Sequence, residues 1–137
     1  MTKKLGDWGE EKAVNVLKQG GYQVLAQNYF SRYGEIDIIA LYEQSLLFIE
    51  VKTRSKTGYG SANEVISKSK QSKIIKTALC FLENNPQYSD LACQFDVICI
   101  DFYQDVAKKV QQDMSKLIYD LEWIENAFTL DQELFTL

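Results

Sequence analysis

The chain has 137 residues, of which 46% are hydrophobic and 25% charged, and it contains one proline, seven glycines and no histidine. This composition predicts a single globular domain over residues 1–137 rather than a disordered or membrane-spanning chain. The absence of histidine excludes Ser-His-Asp and Cys-His nucleophile systems, imidazole zinc sites and a histidine general base. Any chemistry must therefore rest on carboxylates, lysine, tyrosine or the backbone.

Charge is unevenly distributed along the chain. The net charge of −4 taken alone argues against a nucleic-acid-binding protein. However, residues 1–80 carry twelve Lys and Arg against eight Asp and Glu, whereas residues 81–137 carry three against eleven. Between Lys52 and Lys76 there are seven basic residues and one acid, Glu64. Local fields steer ligands more than total charge does, so this stretch is a candidate surface for an anionic partner.

The cysteines and the N-terminus indicate a reducing compartment. Cys80, Cys93 and Cys99 form no Cys-x-x-Cys pair, so neither a disulfide framework nor a thiolate zinc site is predicted. The basic start is not followed by the apolar region of a signal peptide, and no run of about 18 apolar residues occurs. We therefore expect a cytoplasmic protein with small, buried thiols.

The first predicted element is a helix over about residues 2–19, ended by Gly20-Gly21. On a helical wheel its apolar residues form one arc, and Glu10 lies on the flank of that arc. A carboxylate in this position is costly unless it has a partner. The alternative is a boundary glutamate that turns to water.

The remaining elements alternate between strand-like and helical patterns. In chain order they are strands Tyr22–Phe30, Glu35–Tyr42 and Leu46–Thr53, a helix Ser67–Asn84 stopped by Pro86, and strands Cys93–Asp101 and Leu117–Ile124. Residues Tyr103–Met114 fit either a short helix or a long hairpin arm. The order αβββαβ(β) predicts an α/β fold with a mixed sheet of four to five strands flanked by helices.

The second and third strands are predicted to form a hairpin that brings two carboxylates together. A tight turn at Glu43-Gln44 places Asp37 opposite Glu50, with side-chain roots about 4.5–5.5 Å apart. Strand periodicity puts Glu35, Asp37 and Ile39 on one face and Ile36, Ile38 and Ala40 on the other. By the same rule Phe48, Glu50 and Lys52 share a face, opposite Ile49 and Val51.

Opposed carboxylates destabilise a sheet unless a cation lies between them. Asp37, Glu50 and the backbone carbonyl of Val51 make a hard-ligand set suited to Mg²⁺ or Mn²⁺. Lys52 points to the same spot and would orient or deprotonate a water that attacks phosphorus. This pattern predicts a metal-dependent phosphodiesterase site. The alternative is an ordinary solvated pair of Glu50 and Lys52.

Two central motifs of the chain are Gly34-Glu35-Ile36-Asp37-Ile38-Ile39-Ala40 and Phe48-Ile49-Glu50-Val51-Lys52-Thr53-Arg54. They resemble the YraN family of predicted endonucleases. The resemblance extends over nearly the whole chain through Gly6, Gly9-Glu10 and Ala13, Gly21-Tyr22, Asn28-Tyr29, Lys70-Gln71, Phe95-Asp96-Val97 and Asn126-Ala127-Phe128. The chain departs from the family pattern at Gln94, where an arginine that could meet a phosphate is usual, and in a longer, more acidic segment after Asp101.

The resemblance implies a restriction-endonuclease-like core of the PD-(D/E)xK superfamily, similar to restriction enzymes and Holliday-junction resolvases. Asp37, Glu50 and Lys52 match the superfamily's catalytic Asp, Glu and Lys, and Glu10 matches a first-helix glutamate that reaches the metal. The resemblance also implies a Mg²⁺- or Mn²⁺-dependent endodeoxyribonuclease that acts in repair or recombination. Its cleavage would leave a 5′-phosphate and a 3′-hydroxyl. Its partner would be branched, duplex or single-stranded DNA, and a homodimer is expected by analogy.

The basic residues near this site have two interpretations. Those that would hold the DNA backbone are Arg54, Lys56, Lys70, Lys73 and Lys76. Alternatively, the helix lysines are simply a solvated face. The loop Ser55–Asn63 is long enough to close over a substrate, and its Tyr59 would either stack on a base or pack. For the whole chain, the alternative function is a catalytically weak nuclease-fold module that binds nucleic acid or a protein.

Overall fold

The computed structural model describes residues 3–55, 66–103 and 117–129. Its elements are, in chain order, α1 (Lys3–Gln19), β1 (Gln23–Ser31), β2 (Gly34–Tyr42), β3 (Ser45–Ser55), α2 (Lys68–Asn84), a short 3-10 helix (Pro86–Tyr88), β4 (Ala92–Phe102) and β5 (Tyr119–Phe128). The five strands form one sheet in the order β1-β2-β3-β4-β5. Strands β3 and β4 pair in parallel and the other neighbours pair antiparallel.

This architecture confirms the predicted α/β class and mixed sheet, and it is consistent with a restriction-endonuclease-like core. The parallel β3–β4 pair follows from the intervening α2, because a parallel connection must cross from one end of the sheet to the other. The last strand runs to Phe128, four residues beyond the prediction. Of the ambiguous stretch Tyr103–Met114, residues 104–114 lie outside the described residues.

The two helices cover opposite faces of the sheet and create two cores. Helix α1 buries Trp8, Ala13, Val14 and Leu17 against a cluster that includes Ile38 and Ile98. Helix α2 buries Ile74, Ile75, Ala78 and Phe81 against a cluster that includes Phe48 and Phe95. None of the helices within the described ranges is long and apolar enough to cross a bilayer. The three cysteines are free, with Cys99 buried in the α2-side core.

Helix α1 ends as predicted. Gly21 has a φ of +85°, a backbone conformation that side chains disfavour. The Tyr22 N–H donates to the Leu17 carbonyl at 3.0 Å, which caps the last turn.

The predicted hairpin register is confirmed. Tyr42 pairs with Ser45 across the Glu43-Gln44 turn, and Glu43 has the positive φ of 53° that two-residue turns favour. The ladder continues to Ile38 opposite Ile49, the pair directly before Asp37 and Glu50.

The predicted face alternation of β2 is wrong at one residue. Ile38 and Ala40 lie in the α1-side core, as expected, but Ile36 lies in the α2-side core together with Ile39. The physical reason is that the β2–β3 ladder ends at Ile38, while β2 continues to pair with β1 as far as Gly34. Freed from one neighbour, β2 changes orientation at Asp37.

A buried carboxylate fixes β5 to β4. Asp96 is fully buried and accepts hydrogen bonds from Trp123 Nε1 at 2.8 Å, the Asn126 N–H at 3.0 Å and Gln94 Nε2 at 3.1 Å. Gln94 therefore serves this network. Gln94 stands where an arginine that could meet a phosphate is usual, and its amide binds Asp96 instead.

Candidate metal and nuclease site

The candidate site begins where the β2–β3 ladder stops. Beyond the Ile38–Ile49 pair, hydrogen bonds between side chains and backbone connect the two strands in place of backbone–backbone bonds. The Val51 N–H donates to Asp37 Oδ2 at 2.8 Å, and the Asp37 N–H lies 3.4 Å from Glu50 Oε2. Each carboxylate is thus held against the other strand's backbone. The two acids lie next to each other, as predicted, at the point where the β2–β3 ladder has ended.

Glu50 is deeply buried, with 2% of its surface exposed. Desolvation by burial, together with the hydrogen bond and the charge of Asp37, raises the pKa of Glu50 to about 9. A carboxyl with this pKa is protonated at neutral pH unless a cation compensates its charge. The ionised form of Glu50 therefore needs a positive charge nearby.

Lys52 lies two residues beyond Glu50 on the same face of β3. Its pKa is lowered by burial, by a hydrogen bond to Lys70 and by the charge of Lys70, while Glu50 and Asp37 oppose this effect. Lys70 also acts electrostatically on Glu50 and Glu35. Lysine 70, predicted only as a DNA-backbone contact, thus joins the carboxylate cluster. No sequence pattern signals this, since it depends on how the first turn of α2 packs beside β3.

A concave surface of about 330 Å³ opens between the hairpin and the start of α2. It is lined by Gly34, Glu35, Asp37, Glu50, Ser67, Ser69, Lys70, Lys73 and Ile74. Acidic groups lie at the hairpin side and lysines at the helix side. A ligand with both anionic groups and a bound cation would be matched to this division of charge.

Glu10 approaches the site from the opposite side of the sheet. Burial and the charge of Asp37 raise its pKa to about 7, against a smaller opposing effect of Asn28. Its Oε1 atom is buried and has no hydrogen-bond partner among the described residues. Glu10 lines a separate concavity of about 380 Å³ between α1 and β1. Glu10, on the flank of the apolar arc, is therefore a partly buried acid that senses the charge of Asp37.

The close approach of α1 depends on Gly9. A Cβ atom at Gly9 would lie 1.8 Å from Thr53 Oγ1 and 2.9 Å from Thr53 Cβ, distances that real atoms do not tolerate. Only a glycine lets the helix backbone approach β3 this closely. The contact of Gly9 with Thr53 also fixes the position of the next residue, Glu10, whose pKa is affected by Asp37.

The other predicted site residues are placed as follows. Arg54 Nε donates to Asp101 Oδ1 at 2.6 Å, so its charge is largely compensated by this ion pair. Lys70 and Lys73 line the concave surface, and Lys76 lies one turn further along α2. Lys56, Tyr59 and most of the loop 55–63 lie outside the described residues.

The donor set can be tested against a divalent cation. Two adjacent carboxylates, one of them buried, and an unpartnered Glu10 oxygen are what a hard cation would complete. Within the described residues, however, no three His, Cys, Asp or Glu side chains converge as a full ligand group. This pattern fits Mg²⁺, which usually takes one or two protein carboxylates and fills its remaining positions with water and phosphate oxygens.

The sequence matches the uncharacterised protein family UPF0102 over residues 9–100, a range that contains Glu10, Asp37, Glu50, Lys52 and Lys70. The chain belongs to this family. The predicted resemblance to YraN proteins is thereby confirmed, since both names denote the same family.

Relatives of this UPF0102 chain match it almost end to end. The UPF0102 protein of Acinetobacter baumannii strain AYE is 53% identical over 131 residues, covering 96% of this chain and 98% of the relative. The one from Acinetobacter baylyi is 52% identical over 126 residues, 92% and 90% of the two chains. The one from Francisella tularensis strain SCHU S4 is 39% identical over 128 residues, 93% and 96%. The names assign no activity, so the chemistry must be argued from the site.

Proposed function

We propose that this chain is a metal-dependent endonuclease that hydrolyses DNA phosphodiester bonds. The observation that carries the proposal is the side-by-side placement of Asp37 and Glu50 at the end of the β2–β3 ladder, with Lys52 beside them. Two carboxylates and a lysine are a sufficient set for phosphodiester hydrolysis without histidine. The family match shows that the chain is related to other UPF0102 proteins. It assigns no reaction, so the reaction is tested by experiment.

Asp37 and Glu50 would hold Mg²⁺ or Mn²⁺, with the Val51 carbonyl as a further donor and Glu10 as an outer carboxylate. When bound, the cation would supply an acidified water and neutralise charge on the phosphoryl group. Its positive charge would also favour the ionised form of Glu50, which burial otherwise disfavours.

The lysines have separate tasks in this proposal. Lys52, whose pKa is lowered mainly by burial, would exchange a proton with the attacking water. Lys70 lies beside Lys52 and at the edge of the concave surface, where its side chain would contact the scissile phosphate. Their mutual repulsion is relieved by the phosphate charge, so substrate binding and proton affinity of Lys52 are coupled.

The test is cleavage of labelled single-stranded, duplex, flapped and branched DNA in Mg²⁺, Mn²⁺ or EDTA. We expect the wild-type chain to cut at least one substrate with metal and none in EDTA. Asp37→Ala and Lys52→Ala should each lower the rate by about 10²-fold or more. Glu83→Gln, which removes an exposed carboxylate of α2, is the matched control and should cut normally.

Two outcomes would contradict the proposal. One is the absence of metal-dependent cleavage on every substrate, which would favour the alternative of a nuclease-fold binding module. The other is an Asp37→Ala chain that cuts as fast as the wild type, which would assign any activity to a contaminating nuclease.

A further inference from the structure

Beyond the carboxylate site, the turn between β1 and β2 is fixed against the middle of α2. Ser31 Oγ and Thr77 Oγ1 are 2.7 Å apart, and Thr77 is fully buried. A Cβ on Gly34 would lie 3.6 Å from Lys73 Cβ, so the turn lies close to the helix. The turn is therefore held in one position relative to the α2 lysines.

Tyr33 in this turn arranges two cations. The Arg32 guanidinium lies 4.9 Å from the Tyr33 ring centroid, and its Nη2 donates to the Tyr33 hydroxyl at 2.7 Å. Lys76 Nζ lies 5.6 Å from the same ring. Cation–π contacts of this kind orient side chains that would otherwise be mobile. Among the described residues, an ion pair joins Arg54 and Asp101. Arg32, Lys73 and Lys76 form no ion pair with a described carboxylate.

These residues continue the concave surface of the candidate site. We define the turn ridge as Arg32, Tyr33, Lys73 and Lys76. Lys73 belongs both to the ridge and to the lining of the concave surface that contains Asp37 and Glu50. From Lys70 to Lys76 the helix rises about 9 Å and these lysines turn about 120° around its axis, so the cations lead from the carboxylate site towards Tyr33.

The other side of the described site repels a phosphate backbone. The α1-side concavity is lined by Asp7, Glu10 and Glu11 with one cation, Lys18. Arg54, the remaining described cation of β3 besides Lys52, is paired with Asp101. Of the two concavities, the one lined by Lys70 and Lys73, which continues into the turn ridge, thus offers a polyanion the more favourable contacts.

We propose that the turn ridge binds the sugar-phosphate backbone of one unpaired DNA strand and leads it to the carboxylate site. This inference deepens the proposed function and rests on it for the identity of the nucleic acid. Cations beside an aromatic ring are the combination by which proteins follow one strand. The second strand of a duplex would meet the acidic α1 side.

Binding can be measured without cleavage, by fluorescence anisotropy of the full-length chain in EDTA. The probes are a labelled oligothymidine of about 20 nucleotides and a blunt duplex of the same length. We expect the single strand to bind several-fold more tightly. The double variant Arg32→Ala/Lys76→Ala should bind it about tenfold more weakly and lower the salt slope by about 1.4, at about 0.7 per phosphate contact. Tyr33→Leu should weaken binding with no change of formal charge.

Two control variants separate the ridge from general effects. Lys18→Ala removes a charge on the α1 side, and Phe30→Ala removes a 71% exposed aromatic that precedes the turn. Both should bind the single strand as the wild type does. Equal losses in these controls and in Arg32→Ala/Lys76→Ala would overturn the ridge, and so would preferential binding of the duplex. Because the assay needs no metal, strand binding with no cleavage activity would refute the proposed function and leave the ridge intact.

Discussion

At the scale of single residues, the main feature is Glu50, a buried acid whose negative charge is unfavourable without a cation nearby. Glu50 is 2% exposed and next to Asp37, and its pKa is raised to about 9 mainly by burial. A sequence selected only for folding would place an apolar residue there, because buried ion pairs and acids rarely stabilise a core. The cost of this residue is consistent with a site that trades stability for cation binding.

The raised pKa values of Glu10 and Glu50 predict how pH affects the metal-free protein. Both lie above the ordinary value of 4.5, at about 7 and about 9. Between pH 4.5 and 9 the folded state therefore binds more protons than the unfolded chain, and the free energy of unfolding falls as pH rises. Denaturant melts of the wild type in EDTA across this range should show this decline.

Substitution of Glu50 should remove much of that dependence. A glutamine at this position keeps an acceptor for the Asp37 N–H and cannot ionise. We expect Glu50→Gln to raise the free energy of unfolding in EDTA by about 1–3 kcal/mol at pH 8, with little change near pH 5. An equal effect at both pH values would contradict the assigned protonation, and Glu83→Gln serves as the control.

At the scale of elements, the approach of α1 to β3 is set by Gly9. The predicted clash of a Cβ with Thr53 reaches its side-chain root, so rotating the threonine does not relieve it. We expect Gly9→Ala to lower the free energy of unfolding by about 2 kcal/mol or more. Gly6→Ala on the same helix is the matched control. A Cβ there meets no described atom within 4 Å, so that change should be neutral or stabilise by about 0.5–1 kcal/mol. Thermal and urea denaturation compare the two variants, and a Gly9→Ala chain as stable as Gly6→Ala would contradict the close packing.

The attachment of β5 is a second property of elements. Asp96 accepts three hydrogen bonds from Gln94, Trp123 and Asn126, two of which come from β5. We expect Asp96→Ala to cost about 2–4 kcal/mol and to increase hydrogen exchange in residues 119–128 before the rest of the sheet. Asp90→Ala, at an exposed position, is the control. Uniform destabilisation without preferential exchange in β5 would contradict this role.

The helices, the strands and the hairpin register could be predicted because local signals determine them. Gly20-Gly21 and Pro86 mark helix ends, and the Glu43-Gln44 turn fixes every cross-strand pair of the hairpin as far as Ile38. The face of Ile36 could not be predicted by alternation, since the ladder stops before it. The same irregularity creates the gap that the two carboxylates fill.

At the scale of the whole molecule, the charge of the chain is organised around the site. The sequence predicted a basic working half, and Lys70, Lys73 and Lys76 do lie on or beside the concave surface. The pairing of Arg54 with Asp101 and the grouping of Lys70 with Lys52 could not be predicted, because both depend on contacts between distant elements. The two adjacent acids come from β2 and β3, and Glu10 of α1 lines a separate concavity.

The central claim is that Asp37 and Glu50 together bind a divalent cation. The most direct test is a titration of the full-length chain with Mn²⁺, followed by the electron paramagnetic resonance signal of free Mn²⁺ near neutral pH. We predict saturable binding by the wild type and by Glu83→Gln, weakened by more than about tenfold in Asp37→Asn and in Glu50→Gln. Mn²⁺ affinity that is unchanged in both of these variants would contradict the claim.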